Sequence, residues 1–195
     1  MEPLILASGS PRRAQLLKFY GVPFEVIPSE ADEAGVIGSG RERVLELALR
    51  KGREVARRYP GRYVLAADTL VCLDSEIMGK PRDKADAARM LRSLSDREHE
   101  VCTGVCLILP DGREIADVDA TRVRFLHWSD EDIQRYIATG EPMDKAGAYG
   151  MQGLAGIMVS GIQGSPTGVI GLPLGLVTEL FRKGGIEFWP ESIGG

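Results

Sequence analysis

Pro3-Leu4-Ile5-Leu6-Ala7-Ser8-Gly9-Ser10-Pro11-Arg12-Arg13 reads as a strand, a turn and the start of a helix. The apolar run has strand character and breaks at Ser-Gly-Ser. Ser10 is placed to cap a helix opening at Pro11, where proline has the right φ and no amide to lose. A helix N-terminus presents unpaired amides and the positive end of a dipole, which suits an anion. Arg12 and Arg13 fall in that first turn, where the dipole repels cations. Taken alone they read as a solvated helix surface. Behind a Ser-Gly-Ser-Pro loop, of which Ser8 and Ser10 are part, they read better as partners of a multiply charged anion, such as a polyphosphate.

Working outward, strands and helices alternate. Helices are predicted over 11–20, 41–58, 84–94, 130–139 and 173–183, with Gly21 and Gly140 as stops. Strands are predicted over 22–27, 63–73, 101–109, 114–125, 156–159 and 186–189. Residues 29–40 are a polar loop holding Glu30, Asp32 and Glu33; residues 74–82 and most of 141–171 also read as loop. Pro110-Asp111-Gly112 between two long apolar runs signals a hairpin. Alternation interrupted by a hairpin predicts an α/β protein with a mixed sheet.

At 195 residues the chain fits one domain, taken as 1–195, able to bury a substantial core. A net charge of −4 argues against nucleic-acid binding through a broad basic face, so the early arginines would be a local device. No apolar run approaches the roughly 18 residues of a membrane span. The start Met-Glu-Pro has no cationic stretch ahead of an apolar core, so no secretory signal is expected and a cytoplasmic setting is. Cys72, Cys102 and Cys106 lie in apolar runs and read as buried free thiols. No Cys-x-x-Cys pair is present, and His99 and His127 are the only histidines.

Three residues break local rules. Lys51 falls inside the inward stripe Val44, Leu47, Ala48 and Val55 of the second helix, so it either snorkels out or points at an anion in a cleft. Asp68 interrupts the apolar run 63–73, together with Thr69. An unpaired buried carboxylate is costly, so Asp68 requires a partner or a metal, and a strand would hold it rigidly as ligand or general base. Lys80, in Gly79-Lys80-Pro81, is not part of a Walker A loop. Taken with Arg12, Arg13 and Lys51, it makes a fourth cation that could converge on one polyphosphate. Glu33 and Asp68 beside those cations imply a divalent metal, because Mg²⁺ is held by one or two carboxylates with phosphate oxygens and water. In the glycine-rich run from Asp144 to Gly153, Gln152 could hydrogen-bond a base edge with donor and acceptor together.

The chain resembles the Maf family of nucleoside triphosphate pyrophosphatases, also described as septum-formation inhibitors. The resemblance rests on Leu6-Ala7-Ser8-Gly9-Ser10-Pro11-Arg12-Arg13, Ala67-Asp68-Thr69, Gly79-Lys80-Pro81-Arg82, Thr121-Arg122-Val123-Arg124-Phe125, Gly140-Glu141-Pro142, Asp144-Lys145-Ala146-Gly147-Ala148-Tyr149-Gly150 and Gly171-Leu172-Pro173-Leu174. It implies a fold like that of the inosine triphosphate pyrophosphatases: an elongated mixed β-sheet flanked by helices, with two lobes around a central cleft, in a homodimer. It also implies hydrolysis of a nucleoside triphosphate between the α and β phosphates, giving monophosphate and pyrophosphate with a divalent cation (Mg²⁺, Mn²⁺ or Co²⁺). Asp68 matches the family's proposed proton acceptor, and Ser8, Arg12, Arg13, Glu33, Lys51 and Lys80 match its pocket. Arg12, Thr69 and Gln152 resemble the branch acting on dTTP, UTP and modified pyrimidine nucleotides rather than the branch preferring 7-methyl-GTP. The runner-up reading is a nucleotide-binding regulator of septum formation with little turnover. Two departures stand out: Gly164-Ser165-Pro166-Thr167-Gly168 lacks the usual aromatic after Gly-Ser, and Gly52 stands where alanine is common. A helix-interior glycine is expected to loosen the second helix by up to about 1 kcal/mol.

Overall fold

A computed structural model describes residues 2–189. Strand β1 (Leu4–Leu6) lies parallel between β2 (Phe24–Val26) and the first half of β3 (Val64–Leu73). Beyond β3 the sheet is antiparallel, continuing through β5 (Glu98–Ile108), β6 (Glu114–Phe125) and β7 (Val159–Gln163). Strand β4 (Glu76–Met78) folds back onto the end of β3, pairing with residues 71–73. Because β5 occupies one edge of β3 along its length, β1 and β4 share the other. Between Leu65, the last partner of β1, and Val71, the first partner of β4, no strand covers that edge. Asp68 and Thr69 sit in this gap.

The period-two alternation of strand side chains assigns the helices to faces. Ile5, Val64, Ala66, Cys106 and Ile108 meet Ala48 and Val55 of α2 (Gly40–Arg58). On the opposite face the apolar residues form two separate cores. Leu4, Leu6, Leu65, Ala67, Val105 and Leu107 pack on α1 (Pro11–Leu17) and α6 (Leu174–Gly184). Val71, Leu73, Val101, Val123 and Phe125 pack on α3 (Lys84–Leu94) and α4 (Asp130–Ala138). Thr69 and its register partner Thr103 fall between the two cores, with their hydroxyls 2.9 Å apart. One polar residue on each strand thus divides the apolar face into two lobes, and the cleft opens above that seam.

The mixed α/β architecture and the α2, α3, α4 and α6 helices agree with the sequence reading. Capping boxes at Ser39/Glu42 and Ser129/Asp132 fix two of the helix starts. Four local expectations are corrected. The predicted loop 74–82 contains β4. The strand expected at 156–159 begins only at Val159, after a 3-10 turn over Leu154–Met158. A short helix, α5 (Pro166–Ile170), lies within the predicted loop 141–171, and the departing Gly164–Gly168 segment supplies its cap, with the Ser165 hydroxyl accepting the Gly168 amide at 3.1 Å. Residues 186–189 form no strand: the chain turns at Gly185 (φ 71°), Ile186 N–H bonds back to Phe181 O at 2.9 Å, and Ile186 seals the end of α6. Gly52 is also more than a loose spot in α2. A Cβ there would lie 3.2 Å from Ile108 Cδ1, so the glycine lets α2 sit low on the sheet.

His99 is buried in the aromatic cluster of the α3/α4 lobe. Its Nε2 lies 2.8 Å from the Tyr149 hydroxyl, and its Nδ1 has no partner among the described residues. Burial holds its pKa down, to about 4 from the usual 6.5. The unfolded chain therefore takes up a proton below pH 6.5 that the folded chain refuses until about 4. Stability from this group is expected to fall as pH drops through that window, by up to ~3 kcal/mol. Urea unfolding of the wild type and His99→Phe at several pH values checks this; equal slopes between pH 6.5 and 4 would contradict it.

Candidate active site

A cleft of about 640 Å³ opens at the uncovered edge of β3, and all ten residues singled out in the sequence line it: Ser8, Ser10, Arg12, Arg13, Glu33, Lys51, Asp68, Thr69, Lys80 and Gln152. They arrive from seven separate places. The loop after β1 brings Ser8 and Ser10, and α1 brings the arginines. Strand β3 presents Asp68 toward α2 and Thr69 toward the two cores. Lys51 comes from α2, Glu33 from the loop preceding it, and Lys80 from the turn after β4. Gln152 comes from the glycine-rich segment before β7.

Lys51 does not snorkel to solvent. Its ammonium lies 2.5 Å from Asp68 Oδ1 and 2.9 Å from Glu33 Oε1. Asp68 thus has the partner its burial demands, and the two carboxylates converge on one positive centre. The Glu33 loop is tied down next to this point, since Ser29 Oγ and the Glu30 amide both donate to Glu54 Oε2 at 2.9 and 3.0 Å.

The two arginines separate in role. Arg13 is half-buried and points across the seam, donating from Nε to the Gly171 carbonyl (2.7 Å), from Nη2 to Thr69 (3.0 Å) and from Nη1 to Ser8 (3.2 Å). Burial lowers its pKa, while the Asp68 charge acts in the opposite sense, and a guanidinium remains charged throughout. Arg12 turns along the cleft wall to Asp144, 3.0 Å away, and Asp144 also takes Lys145 Nζ at 2.7 Å. The expected cap is not made: the Ser10 side chain forms no capping bond, and Ser8 instead accepts the Ser10 amide at 3.2 Å. Ser8, read only as part of the loop, is the residue that orders it. Lys80 and Gln152 line the cleft without a hydrogen bond or ion pair among the described residues.

Sequence reasoning missed Asp144, Lys145 and Glu141 as individuals, because each is an ordinary charged loop residue until the fold sets it beside Arg12 and Gln152. Among the described residues, no group of three or more His, Cys, Asp or Glu gathers as a metal cage. Cys102 and Cys106 are buried and Cys72 is half-buried; all three are free.

A mixed sheet whose strands pass beneath a cleft lined by arginines, lysines and the carboxylates of Glu33, Asp68 and Asp144 defines an α/β protein with a strongly charged cleft. Its architecture is similar to that of a HAM1 protein from Coxiella burnetii (TM-score 0.53, 15% identity, covering 94% of this chain and 100% of that one). The chain belongs to the Maf family, whose model, described as Maf-like protein, matches residues 3–184. It is 49% identical over 195 residues, the full length of both chains, to a dTTP/UTP pyrophosphatase of Symbiobacterium thermophilum. It is 47% identical over 184 residues, covering 94% of this chain and 95% of the relative, to a dTTP/UTP pyrophosphatase of Koribacter versatilis. No helix among the described residues is long and apolar enough to cross a membrane.

Proposed function

We propose that this chain hydrolyses dTTP, UTP and modified pyrimidine nucleotides to the monophosphate and pyrophosphate, with water attacking between the α and β phosphates. The observation that carries the reading is the convergence of Asp68, Glu33 and Lys51 at the floor of a cleft that also holds Arg12, Arg13 and Lys80. The relatives named above support the substrate class.

The donor set fits a divalent cation. The Lys51 ammonium lies within 2.9 Å of both carboxylates, so Glu33 and Asp68 already face a common positive charge, and phosphate oxygens and water would complete the shell. Such a cation (Mg²⁺, Mn²⁺ or Co²⁺) would polarise the phosphoryl centre. Asp68, fixed by the β3 ladder, orients the attacking water and takes its proton. Glu33 would help Asp68 hold the cation, and Lys51, released from the carboxylates, would direct its charge onto the phosphates. Lys80 and Arg12 neutralise the chain of phosphates. Arg13 and Thr69 act on one another, so Thr69 shapes the pocket through the guanidinium it holds. Ser8 and Ser10 set the loop against which the phosphates lie, and Gln152 meets the base. The same reading takes 1–195 as one Maf-like nucleotide pyrophosphatase domain, cytoplasmic and homodimeric. Free cysteines and the family resemblance support it.

Lys80 is exposed and packs into neither core, so Lys80→Ala is expected to lower kcat/KM at least about tenfold while shifting Tm by less than about 2 °C. A large Tm loss with normal specific activity would contradict its role. The deciding test of function is product analysis with Mg²⁺ or Mn²⁺ and, separately, dTTP, UTP, CTP, dATP, GTP and 7-methyl-GTP. Monophosphate and pyrophosphate from dTTP and UTP alone are expected. Turnover of 7-methyl-GTP instead would keep the reaction and overturn the base assignment. Tight nucleotide binding without turnover would favour a nucleotide-binding regulator of septum formation.

A further inference from the structure

Gln152 stands on residues 150–154 at the rim of the cleft, and that segment is gripped by two side chains outside the phosphate seat. The half-buried Glu141 accepts the Tyr136 hydroxyl at 2.9 Å through Oε1 and the Leu154 amide at 3.1 Å through Oε2. The Tyr136 oxygen in turn accepts the Gly150 amide at 3.3 Å. The grip therefore falls on both sides of Gln152. It is close: a Cβ on Gly153 would lie 2.1 Å from Glu141 Oε1, and one on Gly150 would lie 2.5 Å from Lys145 Cε. These glycines give the carboxylate and the lysine room to pass under the segment. Burial and the Glu141 carboxylate raise the Tyr136 pKa, which keeps its hydroxyl a donor. Glu141 also reaches the other side of the cleft. Its carbonyl accepts Lys145 Nζ at 2.6 Å, Lys145 pairs with Asp144, and Asp144 pairs with Arg12.

We propose that Glu141, together with Tyr136, is a positioning residue for base selection, fixing Gln152 over the cleft without touching the nucleotide. The inference rests on reading the site as that of a pyrimidine nucleotide pyrophosphatase. An amide side chain discriminates a base edge only when its backbone is held, because a displaced donor leaves the correct base as poorly paired as the wrong one. The proposed phosphate partners Lys51 and Lys80 lie elsewhere in the cleft, and Arg12 is tied to Glu141 only through its backbone carbonyl, which a side-chain substitution leaves in place.

The experiment compares wild type, Glu141→Ala and Glu141→Gln for binding, with Mg²⁺, of a UTP analogue bridged by methylene between the α and β phosphorus atoms, and of inorganic tripolyphosphate. Amide hydrogen exchange is followed in the same proteins, with steady-state kinetics on UTP. Glu141→Ala is expected to weaken the analogue about tenfold and raise KM for UTP with kcat little changed, while tripolyphosphate binding stays within about twofold. Exchange at the Gly150 and Leu154 amides should quicken. A glutamine can accept the Leu154 amide and donate to the Tyr136 oxygen, so Glu141→Gln is expected within about threefold of wild type throughout. Equal weakening of both ligands, unchanged exchange, or a glutamine variant as damaged as alanine would overturn the proposal. If wild type binds the analogue no better than tripolyphosphate, the substrate reading fails and the base-selection role falls with it; quickened exchange would then still show Glu141 holding the segment.

Discussion

Asp68→Asn is expected to lower kcat on dTTP by about 10²- to 10⁴-fold, measured as pyrophosphate release at saturating nucleotide and cation. The substitution preserves shape and removes only charge and proton acceptance. The backbone at this position is fixed, because Asp68 pairs in register with Gly104 in the middle of the β3–β5 ladder. The side chain is nearly buried and 2.5 Å from Lys51, whereas the nearby Glu33 is carried on an exposed loop and lacks that fixed placement. Lys51 would keep Glu33 as a counter-charge, which limits the loss of stability. Glu33 sits on an exposed loop, and Glu33→Gln should act mainly on the cation and KM. An Asp68→Asn enzyme within about threefold of wild-type kcat would remove Asp68 from the chemistry, since general-base contributions are of the order of 10²-fold or more.

Gly104→Ala is expected to be the most destabilising single methyl in the chain, costing about 3 kcal/mol or more and lowering Tm by roughly 10 °C. A Cβ at Gly104 would lie 2.3 Å from Val44 O, 2.5 Å from Val44 C and 2.8 Å from Leu45 N. These are backbone atoms inside α2, so relief requires lifting the helix from the sheet rather than turning a side chain. Lys51 rides on that helix, and activity should fall with stability. Gly161→Ala is the matched control: nothing lies within 4 Å of its added Cβ, and its φ is not in the left-handed region. Thermal unfolding of the two variants side by side decides the matter. A Gly104→Ala protein melting with its Gly161→Ala counterpart would mean that α2 does not press on β5 there.

The parts of the fold that were readable from sequence are those whose local chemistry and tertiary environment agree. Helix α3 is readable because the apolar spacing of Ala87, Met90, Leu91 and Leu94 marks the same segment that the Asp83 cap opens in the structure. Asp68 and Lys51 were readable as violations: each charged group sat where burial was forecast, and the fold resolves both by placing one against the other. Strand β4 was not readable, since three residues of Glu-Ile-Met carry no period and pair only because β3 is already there. The start of β7 was obscured by Gly153 and Gly156, which turn the chain before it can extend. The split between Arg12 and Arg13 was equally invisible. Adjacent helix residues diverge by roughly 100°, so one reaches the seam and the other the rim, but only the fold reveals what waits at each place.

Strands β3, β5 and β6 run unbroken beneath both lobes, and this has a mechanical consequence. The two walls of the cleft stand on the same three girders, joined by continuous ladders rather than by a linker. Spreading or closing the walls as rigid bodies would mean bending the girders and shearing their rungs. The spacing between the two walls is therefore a built-in ruler, set by the sheet, and adjustment to a bound molecule belongs to the loops that carry Glu33, Lys80 and Gln152.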